Sequence, residues 1–319
     1  MAEPDLLTLA DIEAARARIA PYVRRTPLLR ADVLDEAAGG RLVFKCENLQ
    51  EIGAFKARGA ANAVFSLSNA EAARGVATHS SGNHASAVAR AAKLRGIPAY
   101  IVMPHGVARP KAAQVERLGA KITYCEPTLA SREATAARVI AETGAVMVHP
   151  YDDRRVMSGQ GTVALELLED APDLDLVLTP VGGGGLISGV STAVKALRSS
   201  ARVIGVEPAG ADDAARSLAA HRLIPMTAPA TIADGLRGSL SADTLAHIEA
   251  RVDAVVTVSE AAIVTAMRAL WEALKVVVEP SAAVPYAAIL EGKVDARGRV
   301  VGIVLTGGNV DLDKLPWVG

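Results

Sequence analysis

Aromatic residues are scarce in this chain: Phe, Trp and Tyr make up 3% of its 319 residues, too few for a platform on which nucleic-acid bases stack. Cysteine is nearly absent too. Cys46 and Cys125 fit neither a disulfide framework nor a thiolate metal cluster, and both read as buried apolar residues of a protein at home in a reducing cytoplasm. No long run of one charge sign occurs. With 34 Lys plus Arg against 35 Asp plus Glu, the formal net charge is -1, which argues against nucleic acid or an anionic membrane as partner. The opening MAEPDLLTLADIEAA carries early acids and no cationic region ahead of an apolar stretch, so neither a signal peptide nor a membrane span is expected. Repeats, low-complexity tracts and a linker rich in Pro, Gly and Ser are also missing, so two domains, if present, are joined intimately.

What the chain has is 50% hydrophobic residues, enough for a sizeable core in roughly two domains of ordinary size. Short apolar runs alternate with alanine-rich helical segments: GVATHS then NHASAVARAAKLRG, AYIVMP then RPKAAQVERLG, KITYCEP then SREATAARVIAETG, DLVLTPV then LISGVSTAVKALR. That alternation predicts βαβ units and parallel sheets. RVIGVEP continues it and RVVGIVLTGG closes the chain, so both ends contribute strands. Ile263, Met267, Leu270, Trp271 and Leu274 fall on one helical face, and that helix is expected to stop near Glu279-Pro280.

Residues 178 to 189, LTPVGGGGLISG, read as a strand, four glycines and a helix. Four glycines let successive N–H groups turn inward while the helix start adds partial positive charge, and together these make a phosphate site. Several ligands carry such a phosphate. Glu207 ends the next strand where a ribose-binding acid would sit, but the G-x-G-x-x-G spacing fails because Ile187 or Ser188 falls at the third glycine. No Lys-Ser or Lys-Thr pair follows, which excludes a triphosphate P-loop. A phosphate site without its own lysine, and Lys56 among small residues in GAFKARGA, point to pyridoxal phosphate held as a Schiff base.

GAFKARGA, THSSGNHA, PVGGGGLISG, EPAGADD, TIADG, EPSAAV and LTGGNVDL stand in the order and spacing of the fold-type II pyridoxal-phosphate enzymes. From about Thr26 to Asp311 the chain resembles the serine racemase and serine/threonine dehydratase branch. The resemblance implies an α/β fold of two domains, with parallel-rich twisted sheets flanked by helices. A large cofactor-binding domain is expected from residues 1–68 and 150–319, and a small substrate-closing α/β domain from 69–149. It makes Lys56 the Schiff-base lysine and packs Phe55 near the cofactor. Gly182, Gly183, Gly184, Gly185 and the Leu186 amide are expected to hold the phosphate, Asn83 the ring hydroxyl, and Thr306 the pyridine nitrogen, with Glu279 near the ring edge. Ser80, Ser81, Gly82, Asn83 and His84 are expected to bind the substrate carboxylate, with Ser81 facing Cα opposite the lysine, His84 supporting rather than catalytic, and Gly235 contacting substrate through its backbone.

Plainer roles compete at several of these positions: Ser80, Ser81 and Asn83 also read as helix caps, and Thr306 as a β-branched residue finishing a buried strand. Glu207, Ala211 and Asp213 match a cation site in the racemase-like branch, and oxygen-only ligands suit Mg²⁺, Ca²⁺ or Mn²⁺; Asp212 and Asp213 also read as a helix start. Ala54 and Thr306 stand where the family usually has serine. A neutral hydroxyl at the pyridine nitrogen makes a weaker electron sink than a carboxylate would, which favours β-elimination. The expected reaction is dehydration and deamination of L-serine or L-threonine to a 2-oxo acid and ammonia, with serine racemisation or 3-hydroxyaspartate dehydration as alternatives. For the last, Arg132 is the candidate to meet a second carboxylate. A homodimer is implied by resemblance, and no regulatory domain is expected after Gly319.

Overall fold

The computed structural model describes residues 5–317 apart from Ala108. Ten strands form two sheets: β1 (Leu28–Leu29), β2 (Arg41–Cys46), β3 (Val76–His79), β4 (Ala99–Pro104), β5 (Lys121–Cys125), β6 (Val146–Met147), β7 (Leu176–Pro180), β8 (Arg202–Pro208), β9 (Ala254–Val258) and β10 (Val300–Leu305). The larger sheet runs β1-β2-β10-β7-β8-β9 and the smaller β5-β4-β3-β6. Apart from the antiparallel β1–β2 pair, every pairing is parallel, so each step needs a crossover, mostly helical. The last strand, β10, lies between β2 and β7; both chain ends build the larger sheet. All strands of the smaller sheet fall between residues 76 and 147.

Thirteen α-helices cover the sheets: α1 (Leu9–Ile19), α2 (Asp32–Ala38), α3 (Lys56–Phe65), α4 (Asn69–Arg74), α5 (Asn83–Arg95), α6 (Arg109–Arg117), α7 (Leu129–Thr143), α8 (Arg154–Asp170), α9 (Gly185–Leu197), α10 (Asp213–Ala220), α11 (Ala242–Arg251), α12 (Glu260–Leu274) and α13 (Pro280–Leu290). Period-two alternation sorts the larger sheet's side chains. Leu42, Phe44, Leu176, Leu178, Ile303 and Leu305 join the core under α12 and α13; Val43, Val177, Val203 and Val304 join the opposite core under α8, α9 and α11. A sheet buried on both faces explains why its strands read as continuous apolar runs. Among the described residues no helix is long and apolar enough to cross a membrane. Cys46 and Cys125 are both buried and unpaired.

The helix carrying Ile263, Met267, Leu270 and Leu274 buries those residues as expected, but it stops at Leu274 rather than near Glu279-Pro280. Lys275 closes it in the left-handed conformation, φ 58, a role usually taken by glycine. Pro280 opens α13 instead, at the helix position where a missing N–H costs nothing.

Helix α3 positions the lysine. Its Ala60, Ala63 and Val64 enter the smaller sheet's core, while Gly59 lies against α8 so closely that a Cβ would sit 2.4 Å from Gln160. The first turn of α3 is thereby fixed between the two sheets.

Candidate active site

Lys56 is the first residue of α3. The amide of the preceding residue, Phe55, donates to Thr306 O at 3.0 Å, and Ala54 bridges to Gly307, so the lysine is tied to the end of β10. Its Nζ donates to Pro150 O at 2.7 Å and lies 5.0 Å from the Phe55 ring centre. No described carboxylate pairs with it. Burial without a counter-charge lowers its pKa to about 8, which makes the neutral amine accessible at mild pH.

The glycine loop lies beside it. β7 ends at Pro180, Gly184 is left-handed at φ 86, and α9 starts at Gly185. A Cβ on Gly183 would fall 2.2 Å from the Tyr151 ring, one on Gly185 2.9 Å from Tyr151 Cα, and one on Gly184 2.8 Å from Leu240 and Thr244. Only glycine fits a backbone packed so tightly. The N–H groups of residues 182 to 186 find no acceptor among the described residues, and together with the α9 start they form an anion-binding concavity. Because Tyr151 follows Pro150, the Lys56 amine and this concavity are neighbours. Gly182 faces the Gly235 carbonyl, 3.2 Å from its would-be Cβ, and Gly235 N donates to Ser281 Oγ at 3.1 Å.

From the smaller sheet, β3 delivers Ser80, Ser81 and Gly82 to the start of α5. The hydroxyl of Ser80 accepts from Gly82 N at 3.3 Å, while Ser81's makes no hydrogen bond to a described residue. His84 is buried, its Nε2 within 3.0 Å of Val148 O, and burial and the Lys56 charge hold it well below the usual histidine range; it is a neutral tether. Asn83 donates to both Glu279 oxygens, at 3.0 and 3.3 Å. Buried Glu279 also accepts from Asn309 N at 3.2 Å, and desolvation pushes its pKa up to about 7. Arg132, in the first turn of α7, forms no ion pair with a described residue, and its charge acts on His79 and Tyr151.

Glu207 and Asp213 sit apart from the lysine, both fully buried with Ala211. Glu207 accepts from Ala214 N and Ala215 N at 3.1 and 2.8 Å, Asp213 from Leu240 N at 3.0 Å. Burial pushes Glu207 up to about 8 and Asp213 to about 6, and Asp213 Oδ1 is buried without a partner. Arg216, itself paired with Asp212, acts on Asp213, and no described cation acts on Glu207; no three acidic, thiol or imidazole groups cluster among the described residues, so the expected trio draws its third oxygen from the Ala211 carbonyl. The expected trio therefore fits a hard divalent ion.

Three residues had escaped the sequence reading. Tyr151 forms the floor of the glycine loop, Pro150 O holds the lysine, and Asn309 stands at the Asn83–Glu279 junction. LTGGNVDL contained Asn309, but nothing in the string says what its amide meets.

A buried amine with no described counter-charge, set beside a concavity of backbone amides between two layers rich in parallel strands, is the arrangement of a fold-type II cofactor enzyme. Residues 19–307 match the family described as pyridoxal-phosphate dependent enzyme, and the chain belongs to it. It is 53% identical to a beta-hydroxyaspartate dehydratase of Paracoccus denitrificans over 97% of this chain and 98% of that protein. The structure of maize serine racemase superposes with a TM-score of 0.94 at 48% identity, covering 96% of this chain and 94% of that one. The structure of a T.th. threonine deaminase gives 0.91 at 45% identity, covering 96% and 99%.

Proposed function

We propose that the chain dehydrates and deaminates 3-hydroxy amino acids such as L-serine and L-threonine to a 2-oxo acid and ammonia. The observation that carries this reading is the Lys56 amine, lowered to about 8 by burial with no carboxylate beside it, a poise suited to taking a Cα proton. Lys56 would hold pyridoxal phosphate with Phe55 alongside; the N–H groups of Gly182, Gly183, Gly184, Gly185 and Leu186 would hold its phosphate. Asn83, Glu279 and Thr306 would face its ring. Bound there, the cofactor supplies an electron sink that weakens the substrate Cα–H bond.

The chain's own groups do the rest. The loop of Ser80, Ser81, Gly82 and Asn83 binds the substrate carboxylate at the start of α5, His84 holds that helix to Val148, and Gly235 bounds the substrate from the larger sheet. Lys56 takes the Cα proton on its own face, the β-hydroxyl leaves as water, and the released enamine hydrolyses to the 2-oxo acid and ammonia. The protein is proposed to be a cytoplasmic homodimer, with Glu207, Ala211 and Asp213 holding Mg²⁺, Ca²⁺ or Mn²⁺.

Racemisation requires a proton donor opposite Lys56, the Ser81 hydroxyl. Among the described residues no base hydrogen-bonds to that hydroxyl, so elimination from the L-amino acid is expected to outrun D-serine formation. A second substrate reading rests on Arg132, unpaired and acting on His79 and Tyr151: 3-hydroxyaspartate, whose extra carboxylate an arginine fork reads. Its support is the similarity to a beta-hydroxyaspartate dehydratase. Assaying keto-acid release from L-serine, L-threonine and each 3-hydroxyaspartate diastereomer, with D-serine measured in parallel, decides among these. D-serine forming faster than pyruvate would overturn the dehydratase reading.

A further inference from the structure

Asn309 was given no role by the sequence, yet its side chain joins three segments. Nδ2 donates to Ile52 O at 2.8 Å and to Asn83 Oδ1 at 2.8 Å; its backbone N–H donates to Glu279. Two of these partners fix which way the amides point. Ile52 O can only accept, so the NH2 of Asn309 faces it. The NH2 of Asn83 faces the Glu279 carboxylate, and against the ionised carboxylate a flipped Asn83 would set oxygen against oxygen. The Asn83 carbonyl is thereby turned to Asn309.

One further observation gives the clamp its place. Ile52 is left-handed, φ 58 and ψ 11, a conformation costly for a β-branched residue, and it precedes Lys56 by four positions. The neighbouring Gly53 O accepts from Gly308 N at 3.0 Å, and a Cβ on Gly53 would meet Asn309 Oδ1 at 2.8 Å. Residues 307–309 thus grip both the turn leading to Lys56 and the start of α5 on the smaller sheet.

We propose that Asn309 is a positioning residue that orients the Asn83 amide, so that Asn83 turns its NH2 edge and not its carbonyl to the cofactor ring. This rests on the assignment of Asn83 to the cofactor, and the arms of the test separate the two. In the holoenzyme, Asn309→Ala and Asn309→Asp shift the absorbance maximum of bound pyridoxal phosphate and raise KM about tenfold, the effect of one ordinary hydrogen bond, with a smaller change in kcat. In the cofactor-free chain, amide hydrogen exchange in residues 80–86 quickens about tenfold in both variants while the β7 and β10 strands are unchanged. Because Asn309 acts through Asn83, Asn309→Ala on an Asn83→Ala background adds nothing to the absorbance shift. Additive shifts, or unaltered absorbance and exchange in both single variants, would overturn the proposal; an Asn83→Ala holoenzyme with unaltered absorbance would instead sink the Asn83 assignment beneath it.

Discussion

Two buried clusters of charge, each with one member on a strand of the larger sheet, Lys45 on β2 and Glu207 on β8, behave in opposite ways. In the first, Arg58 donates to Glu47 at 2.8 Å and to Glu166 at 2.7 Å, and Lys45 donates to Glu166 and to Thr26 O, each at 2.6 Å. Two cations meet two carboxylates. Burial pushes Glu166 up, but Arg58 and Lys45 more than reverse it and hold it below the usual carboxylate range. In the second cluster, Glu207 and Asp213 are just as buried, with amides for hydrogen-bond partners and only Arg216, itself paired with Asp212, acting on Asp213, and both are raised. A closed set of charges is a strut; an open set of one sign, on the reading proposed above, takes its missing charge from a bound cation.

The sharpest way to break this comparison is to remove one charge from each side. Arg58→Met strips buried Glu47 of its cation and leaves Glu166 with Lys45 alone, and is expected to cost about 3–5 kcal/mol, a drop in melting temperature of roughly 10 °C. Glu207→Gln replaces a carboxyl whose ionisation burial already opposes, so in chelated protein it should melt within about 1 kcal/mol of the parent or above it. If both variants fall equally under chelation, the second cluster is a strut as well.

Adding the missing charge sharpens the contrast. Mg²⁺ or Ca²⁺ at a hundred times its dissociation constant should stabilise the parent by about 2.7 kcal/mol and leave Glu207→Gln unmoved; chelation should lower melting temperature and activity together. The ion would reach the chemistry only indirectly, since Asp213 accepts from Leu240 N and Leu240 packs on Gly184. A parent that melts and turns over identically after exhaustive chelation would leave Glu207 as no more than an acceptor for the first amides of α10.

Lys56 is a third buried charge, single and unpaired, and its response to pH has a definite sign. Its pKa in the folded, cofactor-free chain is lowered from 10.5 to about 8, so the associated stability is fully present above the unfolded value and is lost as pH falls through about 8. Relative to Lys56→Met, the cofactor-free parent should gain stability as pH rises from 7 to 10. Amine labelling of Lys56 should show a midpoint near 8; a midpoint at the ordinary lysine value would mean that the ammonium is solvated. The same Lys56→Met chain should bind phosphate yet lose virtually all turnover.

Legibility in the sequence divides along the same line. Strand and helix alternation, the glycine loop and the pairing of that loop with Lys56 were readable because each is local or a sequence motif. Arg58, two residues beyond Lys56, was not: its partners Glu47 and Glu166 lie 11 and 108 positions away, and a charged residue in an alanine-rich helix looks like a solvated one. The stop of α12 at Lys275 was missed because no glycine marks it. Asn309 was visible as part of a motif, but an amide's orientation depends on what faces it, here Ile52, Asn83 and Glu279, which only the fold brings together.

The smallest expected effect comes from an exposed pair that bridges the two sheets. Lys111 on α6 donates to Asp234 at 2.9 Å, with side chains 41% and 49% exposed. Asp234 adjoins Gly235, so the pair stands where the smaller sheet's layer meets the turn that we propose bounds the substrate. An exposed ion pair adds only about 0–1 kcal/mol to folding, and Lys111→Ala should melt within roughly 2 °C of the parent. Its consequence for binding differs, because closure of one layer on another is itself balanced within a few kcal/mol. A modest bias toward the closed arrangement then appears in KM as about a two- to threefold rise on substitution, with kcat nearly unchanged. High salt, which screens surface charges beyond a few ångströms, should raise KM in the parent and leave Lys111→Ala insensitive. Equal salt responses in the two proteins would show that the pair is a surface contact with no part in closure.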